Sequence, residues 1–276
     1  YISPDSDTLI YTLAGVNDPE RGWGRADETW HTHSTLGQLG IENWFQIGDK
    51  DLALHLYRNE QRKKGTSLTE ITQHIAQKFG VNSRILPMSD DPVQTIIESD
   101  IGHLSFQEYF VKHQSKPCIR NISFNGSTEA SLSPELKTVI RDNGFKAIIV
   151  CPSNPYLSID PILSIEEIKS FIESASIPVV AVSPIIDGKA LRGPAAKIMH
   201  EMDIPVSAKS IAEHYHPLID GLVIDHKDKI ISSEIQTMGI EVQVTNTVMN
   251  CDSDKIQLAQ DVVEFSQMIS VKKGSL

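Results

Sequence analysis

The sequence has few cysteines and no long apolar run. Its three cysteines, Cys118, Cys151 and Cys251, lie far apart and form neither a CxxC pair nor a disulfide framework. This spacing indicates a reducing, cytoplasmic setting. No apolar stretch approaches the ~18 residues that a membrane-spanning helix needs, so we expect no part of the chain to enter a membrane.

Basic residues are also fewer than acidic residues. The chain has 25 Lys and Arg against 36 Asp and Glu, for a net charge of -11. Such a balance disfavours nonspecific binding to nucleic acid or to an anionic membrane. It still allows a small anionic ligand, because a pocket sets its own local field.

Helical patterns fill the amino-terminal part of the chain. Ser3 is a suitable N-cap for a helix over residues 4–13, which Gly15 can end. Ser67 and Glu70 have the spacing of a capping box at the start of another helix. Two more helices are predicted over residues 27–40 and 50–64. We therefore expect residues 15–80 to be mostly helical.

Short apolar runs then alternate with helical patterns. Residues 146–151 (KAIIVC) and 178–183 (PVVAVS) are typical of parallel strands buried on both faces. Further strands are predicted at 83–87 and 220–225. Helices are predicted at 133–142, at 164–174 with a Ser164–Glu167 capping box, as two short helices within 193–216, and at 252–269 before a frayed tail.

This alternation predicts an α/β fold with a Rossmann-like, doubly wound, mostly parallel sheet and a helical excursion near the amino terminus. We find no internal repeat and no clear linker. We therefore expect one α/β domain over residues 1–276.

Two loops follow predicted strands, where ligands bind in such folds. Residues 151–161 hold Ser153 and Asn154 between prolines. Residues 183–197 offer glycines for close backbone approach together with the cations Lys189 and Arg192, a combination that can bind a phosphate. Ordinary β–α connections with surface charges fit the same spacing, and no P-loop or GxGxxG pattern is present.

Two acidic segments have competing explanations. In SPDSDT (3–8), capping explains Asp5 but not Asp7, which could instead hold a divalent ion such as Mg²⁺, an ion that prefers oxygen ligands. In LPMSDDPV (86–93), Asp90 or Asp91 is expected to cap a helix that begins at Pro92, and Met88 could press on a flat ring.

Six segments, taken in order, resemble the 2-phospho-L-lactate transferase family, which makes the deazaflavin coenzyme F-420. They are SPDSDT (3–8), GDKDLALH (48–55), LPMSDDPV (86–93), SFQEYF (105–110), PSNPYLSIDPI (152–162) and SPIIDGKALRGPAAK (183–197). PERGWGRADETWH (19–31) is more similar to the bacterial members, which resemble phosphoenolpyruvate transferases. The family's amino-terminal glycine loop has no counterpart here, so we expect the chain to begin inside the family pattern, as an N-terminally truncated form.

The resemblance implies a reaction and its site residues. The acceptor would be FO (7,8-didemethyl-8-hydroxy-5-deazariboflavin), and the donor a guanosine diphosphate ester of lactate, enolpyruvate or glycerate, with release of GMP. Mg²⁺ would be held by Asp7, which would also be the catalytic residue. The FO-binding residues would be Asp7, Gln46, Met88 and Asp90, and the nucleotide- and phosphate-binding residues Ser153, Asn154, Ser183, Lys189, Arg192 and Gly193. The family also implies a homodimer.

Two other functions compete with this one. A related superfamily of nucleotide-sugar-binding regulatory proteins shares the fold without transfer chemistry, but a metal-binding carboxylate at Asp7 argues against it. An NAD-dependent oxidoreductase on a Rossmann sheet would need a GxGxxG pattern, which this sequence does not show.

Overall fold

A computed structural model describes residues 1–142 and 144–274. Contacts divide the chain into two units. The first comprises Tyr1–Pro92, Phe110–Gln114 and Ala130–Thr138, and the second comprises Val93–Tyr109, Ser115–Glu129 and the residues from Val139 onward. The expectation of a single domain over residues 1–276 stays a prediction.

The first unit contains the helices of the predicted amino-terminal excursion: α1 (Pro4–Leu13), α2 (His31–Gln38), α3 (Asp49–Lys63) and α4 (Leu68–Lys78). Ile10 and Tyr11 of α1 pack on Ile71 and Ile75 of α4 in a buried apolar cluster. The helical excursion near the amino terminus is confirmed, and the expectation that residues 15–80 are mostly helical stays a prediction.

Some of the helix ends in this unit agree with the sequence-based predictions, and others do not. The capping box of Ser67 and Glu70 forms at the start of α4, and Gly15 follows α1 with a left-handed φ of 68°. Ser3 stands at the N-cap of α1, as predicted, although its side chain forms no capping hydrogen bond. α2 begins four residues later than expected, because Asp27 has a left-handed φ of 53° that a helix cannot contain.

The second unit holds strands β1–β9 and most of the remaining helices. The strands are β1 (Gln94–Ser99), β2 (Gly102–Ser105), β3 (Ile119–Asn125), β4 (Ile148–Val150), β5 (Val179–Val182), β6 (Ile185–Ile186), β7 (Lys189–Ala190), β8 (Gly221–Asp225) and β9 (Glu241–Thr245). The helices are α6 (Asp160–Leu163), α7 (Glu166–Glu173), α8 (Ala195–Glu201), α9 (Ala208–Tyr215), α10 (Ser232–Gln236) and α11 (Asp252–Lys273), while α5 (Pro134–Arg141) has residues in both units. Two short π-helical segments lie at Glu108–Lys112 and Pro155–Ile159, and a 3₁₀ helix lies at His226–Ile231.

The main sheet is parallel, in the order β4-β5-β8-β9. Ile149 of β4 lies opposite Val180 of β5, which in turn lies opposite Gly221 of β8. The mostly parallel α/β sheet is therefore confirmed. Its strands β4, β5 and β8 were predicted, whereas β9 was not.

Helices cover both faces of this sheet, as a doubly wound fold requires. Successive strand residues point to opposite faces. Val179 and Ala181 of β5 belong to the larger core with α8 and α9. Val180 and Val182 pack instead in a separate cluster with α11.

Gly221 lets α11 approach β8 closely. A Cβ at this position would lie 2.6 Å from Cδ1 of Ile269 and 2.7 Å from Cε1 of Phe265. Both neighbours are buried in the packed face under α11. The position therefore has no room for a side chain.

We expect Gly221→Ala to lower the free energy of unfolding by about 1–3 kcal/mol, the usual cost of overpacking a core. Urea denaturation followed by circular dichroism measures it. Gly144→Ala is the control, because a Cβ there meets nothing within 4 Å. Equal stability of the two variants would contradict the packing described for α11.

Three predicted elements are wrong. Residues 83–87 form no strand: they have no strand pairing, although Ile85 is buried in the core of the first unit. No helix starts at Pro92, since the chain enters β1, which belongs to an antiparallel sheet of order β2-β1-β3 that the sequence analysis missed. The Ser164–Glu167 capping box does not form, because α7 begins at Glu166 with Ile165 at its N-cap.

The last helix is longer than predicted. α11 continues past Ile269 to Lys273, because Lys272 and Lys273 form ion pairs with Glu241 and Asp220, at 2.7 Å each. The predicted frayed tail is therefore wrong as far as Lys273, and residues 275–276 lie outside the described residues. Within 1–142 and 144–274, no helix combines the length and the apolar character that crossing a bilayer takes.

Candidate functional site

Asp7 is a buried carboxylate in the first turn of α1, with an exposed fraction of 3%. Its Oδ1 accepts a hydrogen bond from Nη2 of Arg58, while its Oδ2 is buried without any hydrogen-bond partner. Burial raises the pKa of Asp7, although the Arg58 guanidinium beside it acts in the opposite direction. A buried polar atom without a partner is costly, and a bound ion is one arrangement that satisfies it.

Helix α3 brings three polar side chains to this carboxylate. Asp51, His55 and Arg58 follow one another at spacings of four and three residues, which places them on one helix face. Nδ1 of His55 lies 3.9 Å from Oδ2 of Asp7, and Nε2 of His55 lies 3.4 Å from Oδ2 of Asp51. His55 and Arg58 are both buried.

Hydrogen bonds within the cluster fix the orientation of these side chains. Nη1 of Arg58 donates to Nδ1 of His55 at 2.9 Å, which leaves the imidazole proton on Nε2. The hydroxyl of Tyr11 donates to Oδ1 of Asp51 at 2.6 Å. Burial and this hydrogen bond raise the pKa of Tyr11. Burial also acts to raise the pKa of Asp51, but the hydrogen bonds from His55 and Tyr11 outweigh it and lower the pKa.

The cluster has the donor set of a cation site. One ligand atom each from Asp7, Asp51 and His55 lies within 4.8 Å of the others, and residues 1–142 and 144–274 contain no second group of this kind. With both carboxyls ionised, two negative charges face the single guanidinium of Arg58. These residues therefore fit a divalent cation such as Mg²⁺ in their charge and in the unpartnered oxygen of Asp7.

The start of α3 is held by a carboxylate from the preceding loop. The oxygens of Glu28 accept hydrogen bonds from the backbone nitrogens of Lys50 and Asp51, at 2.9 Å each. Gly48 makes this approach possible, because a Cβ there would lie 2.2 Å from the carboxyl carbon of Glu28. The glycine of GDKDLALH thus positions the helix that carries Asp51.

Asp49, the first acid of the same motif, caps α2. Its oxygens accept hydrogen bonds from the backbone nitrogens of His31 and Thr32, at 3.0 Å each, and from the hydroxyl of Thr29 at 2.6 Å. Hydrogen bonds from the Thr29 and Thr32 side chains, followed by these backbone bonds, hold the pKa of Asp49 well below its usual range. Asp49 is therefore engaged in capping, and Asp51 is the acid of the motif that faces the cluster.

The other predicted FO-binding residues also belong to the first unit. Gln46 is exposed just before α3, and Met88 is half-buried. Oδ1 of Asp90 accepts a hydrogen bond from the backbone nitrogen of Thr69 at 2.7 Å. Asp90 therefore caps α4, and not a helix at Pro92, while its role toward FO stays a prediction.

Ser153 and Asn154 of the second unit follow β4. Oδ1 of Asn154 accepts hydrogen bonds from the backbone nitrogens of Tyr156 and Leu157, at 3.0 and 3.2 Å. This fixes the orientation of the amide and leaves its Nδ2 as a buried donor without a partner. Asn154 therefore offers a preset donor next to Ser153.

The segment after β5 contains the hairpin β6–β7, where the sequence analysis expected a loop. Ser183 is buried at its start, and its hydroxyl donates to the carbonyl of Ile185 and accepts from the nitrogen of Ile185. Lys189 and Arg192 are exposed, and in the described part of the chain neither side chain forms a hydrogen bond or ion pair. Gly193 has a left-handed φ of 70°. The two free cations are available to an anionic ligand.

Sequence reasoning found Asp7 but missed Asp51, His55, Arg58 and Tyr11. The detectable signal was the spacing of Asp51, His55 and Arg58 within GDKDLALHLYR, which puts an acid, an imidazole and a guanidinium on one face of a predicted helix. Polar residues at that spacing are common on solvated helix faces. Only the packing of α3 in the first unit shows that this face is buried.

A parallel α/β sheet with free cations beyond a strand end is typical of proteins that bind anionic ligands. The family model described as 2-phospho-L-lactate transferase CofD matches residues 1–266. The chain belongs to the 2-phospho-L-lactate transferase CofD family, which confirms the resemblance seen in the six segments.

Relatives from two groups of organisms carry transferase names. The chain is 35% identical over 263 residues to the 2-phospho-L-lactate transferase of Methanosarcina mazei, covering 95% of this chain and 86% of that protein. It is 34% identical over 260 residues to the phosphoenolpyruvate transferase of a Mycobacterium species (strain JLS), covering 90% and 76%. These names support an enzyme of the transferase class.

A solved structure shares the fold. The crystal structure of a Bacillus halodurans protein of the UPF0052 family superposes with a TM-score of 0.56 at 13% identity, covering 91% of this chain and 81% of that one. At this identity the likeness concerns the fold alone.

Proposed function

We propose that this protein is a transferase of coenzyme F-420 biosynthesis that moves a phospho-lactyl or phosphoenolpyruvyl group from a guanosine diphosphate ester to FO and releases GMP. The family match over residues 1–266 carries the proposal. The buried Asp7 with its unpartnered oxygen, at the position of the SPDSDT motif, supports it from the geometry. The expected homodimer and cytoplasmic location stay predictions.

The proposed reaction is a phosphoryl-type displacement. The terminal hydroxyl oxygen of the FO side chain forms a bond to the phosphorus that carries the acid, and the bond from that phosphorus to the oxygen of GMP breaks. The hydroxyl loses its proton and GMP leaves with the bonding electron pair. Such reactions depend on positioning and charge neutralisation more than on covalent catalysis.

The chain's own residues supply these two requirements. Asp7 would hold a divalent cation, proposed as Mg²⁺, and this ion would supply charge neutralisation for the diphosphate. Lys189 and Arg192 bind phosphate oxygens, and Nδ2 of Asn154 donates to the nucleotide. Ser153, Ser183 and Gly193 complete the proposed nucleotide site. Asp7, Gln46, Met88 and Asp90 are the proposed contacts of FO.

A transfer assay tests the proposal. The full chain is mixed with FO, the guanosine diphosphate ester of each candidate acid and Mg²⁺, and GMP and the deazaflavin product are measured by chromatography. Equimolar GMP and product are expected. Nucleotide binding without GMP release would reject the transferase and favour the nucleotide-binding regulator.

Arg192→Ala is expected to raise the KM for the donor by about tenfold or more, because a hydrogen bond to a charged group contributes about 1.5–3 kcal/mol. The KM for FO should not change. Arg120→Ala is the control, since Arg120 is an exposed arginine of β3 in the same unit. Unchanged donor kinetics in Arg192→Ala would remove Arg192 from the phosphate site.

A further inference from the structure

Hairpin β6–β7 carries Lys189 directly after its turn. Ile186 of β6 pairs with Lys189 of β7, so Asp187 and Gly188 form a two-residue loop between the strands. The φ angles of these two residues, 51° and 69°, are both left-handed, as in a type I′ turn, for which an Asp-Gly pair is well suited. The position of the turn therefore sets where Lys189 lies.

The base and the turn of this hairpin are held differently. At the base, the hydroxyl of Ser183 bonds both the nitrogen and the carbonyl oxygen of Ile185, and Ile185 and Ile186 are buried. Asp187 and Gly188 are exposed, so no core packing fixes the turn. Its position depends on a contact from outside the hairpin.

Asp228, in the 3₁₀ helix that follows β8, supplies that contact. Both of its carboxylate oxygens accept from the backbone nitrogen of Asp187, at 3.2 Å each. Asp228 lies 41 residues further along the chain and is 7% exposed. The contact ties the turn to the segment after β8, the strand that pairs with β5.

The burial of this carboxylate is unfavourable for the fold. Burial raises the pKa of Asp228, and the negative charges of Asp225 and Asp187 act in the same direction, while the hydrogen bond from the amide of Asp187 and the charge of Lys227 oppose them. A buried acid beside two other acids contributes little net stability. Its effect on the position of the turn is a better reason for its presence.

We propose that Asp228 is a positioning residue that holds the turn of hairpin β6–β7 where Lys189 meets a phosphate group of the donor. The inference rests on the proposed function, in which Lys189 binds phosphate. It adds a residue from another segment that acts through Lys189 and not by contact with the donor. A cation that is placed in advance loses less conformational freedom on binding, which strengthens the affinity.

Titration of the full chain with GDP in the presence of Mg²⁺, followed by calorimetry, tests the inference, because GDP offers a diphosphate and cannot react. Asp228→Asn removes the charge and one acceptor oxygen. We expect the Kd for GDP and the KM for the donor to rise about threefold to tenfold, the range for ordering one flexible side chain. The kcat and the KM for FO should not change, whereas a role in the fold alone would not raise the donor KM selectively.

A double-mutant cycle with Lys189 identifies the route of the effect. Lys189→Ala alone should raise the Kd for GDP by about tenfold. Adding Asp228→Asn should raise it by less than about twofold more, because there is no longer a side chain to position. Fully additive effects would show that Asp228 acts elsewhere and would overturn the inference.

Asp220→Asn is the matched control. Oδ2 of Asp220 also accepts from a backbone nitrogen, that of Val179 at 2.8 Å, but Asp220 precedes β8 whereas Asp228 follows it. This variant should keep the wild-type Kd for GDP. An equal rise in both variants would overturn the inference.

A second variant covers the case in which Asp228→Asn fails to fold by circular dichroism. Gly188→Ala strains the same turn, because a residue with a Cβ rarely adopts the left-handed φ of Gly188. The same rise in the Kd for GDP is expected. A wild-type Kd in this variant would show that the position of the turn does not matter.

These outcomes separate the inference from the proposed function. Weaker GDP binding in Lys189→Ala with wild-type binding in Asp228→Asn would reject the positioning role and keep the phosphate site. The expected binding pattern without GMP release in the transfer assay would sustain the positioning role and reject the transferase. Absence of GDP binding, or unchanged binding in Lys189→Ala, would reject both the phosphate site at Lys189 and the inference.

Discussion

Arg58→Met is expected to lower the free energy of unfolding by about 3–5 kcal/mol, because it leaves the carboxylate of Asp7 buried without its partner. Arg58 is 1% exposed and is the largest fully buried side chain of the described residues. Its guanidinium also bonds His55, so the substitution removes a second buried contact. Urea denaturation followed by circular dichroism measures the change.

Two further variants isolate the cause. Arg84→Met should change stability by less than about 0.5 kcal/mol, since Arg84 is exposed in the same unit. The double variant Asp7→Asn/Arg58→Met should be more stable than Arg58→Met alone, because the uncompensated charge is gone. A double variant as unstable as the sum of its parts would show that Arg58 stabilises the fold through packing and not through Asp7.

Asp7→Asn is expected to reduce product formation by about a hundredfold to a thousandfold, the range seen when one electrostatic contact to a transition state is removed. The amide keeps the shape of the carboxylate and can still accept from Arg58, so the fold should stay intact. It lacks the negative charge that holds a cation. The measurement is the rate of GMP release under saturating FO and donor.

Asp5→Asn is the matched control, because Asp5 is an exposed acid in the same motif and on the same helix. Its rate should stay close to that of the wild type. Wild-type turnover in Asp7→Asn would exclude Asp7 from catalysis. An equal loss in both variants would point to the start of α1 as a whole and not to the buried carboxylate.

The parallel strands were predictable because burial on both faces leaves a continuous apolar run. β5 is four buried residues in a row, and β8 is five. β1 and β3 escaped prediction because their residues alternate in burial, and polar side chains such as Glu98 and Asn121 stand opposite one another in the antiparallel pair. A sequence with such a pattern cannot be distinguished from a polar loop unless the pairing of the two strands is known.

Of the residues in the site, the sequence allowed only Asp7 to be predicted. Capping accounts for an acid beside the unpaired first amides of a helix, but the amide of Asp7 already donates to the carbonyl of Ser3. This exception singled out Asp7. Its partner Arg58 lies 51 residues further along the chain. The spacing of Asp51, His55 and Arg58 is compatible with a solvated face, so only tertiary packing reveals that these side chains are buried together.

The paired caps of α2 and α3 also couple the two helices. Glu28, just before α2, holds the first amides of α3, while Asp49 at the start of α3 holds the first amides of α2. Neither helix can fray at its amino end without removing an acceptor from the other, so both starts belong to one cooperative opening unit. The segment around α2 therefore fixes the position of the start of α3. It thereby also fixes the orientation of Asp51 and His55, which α3 carries.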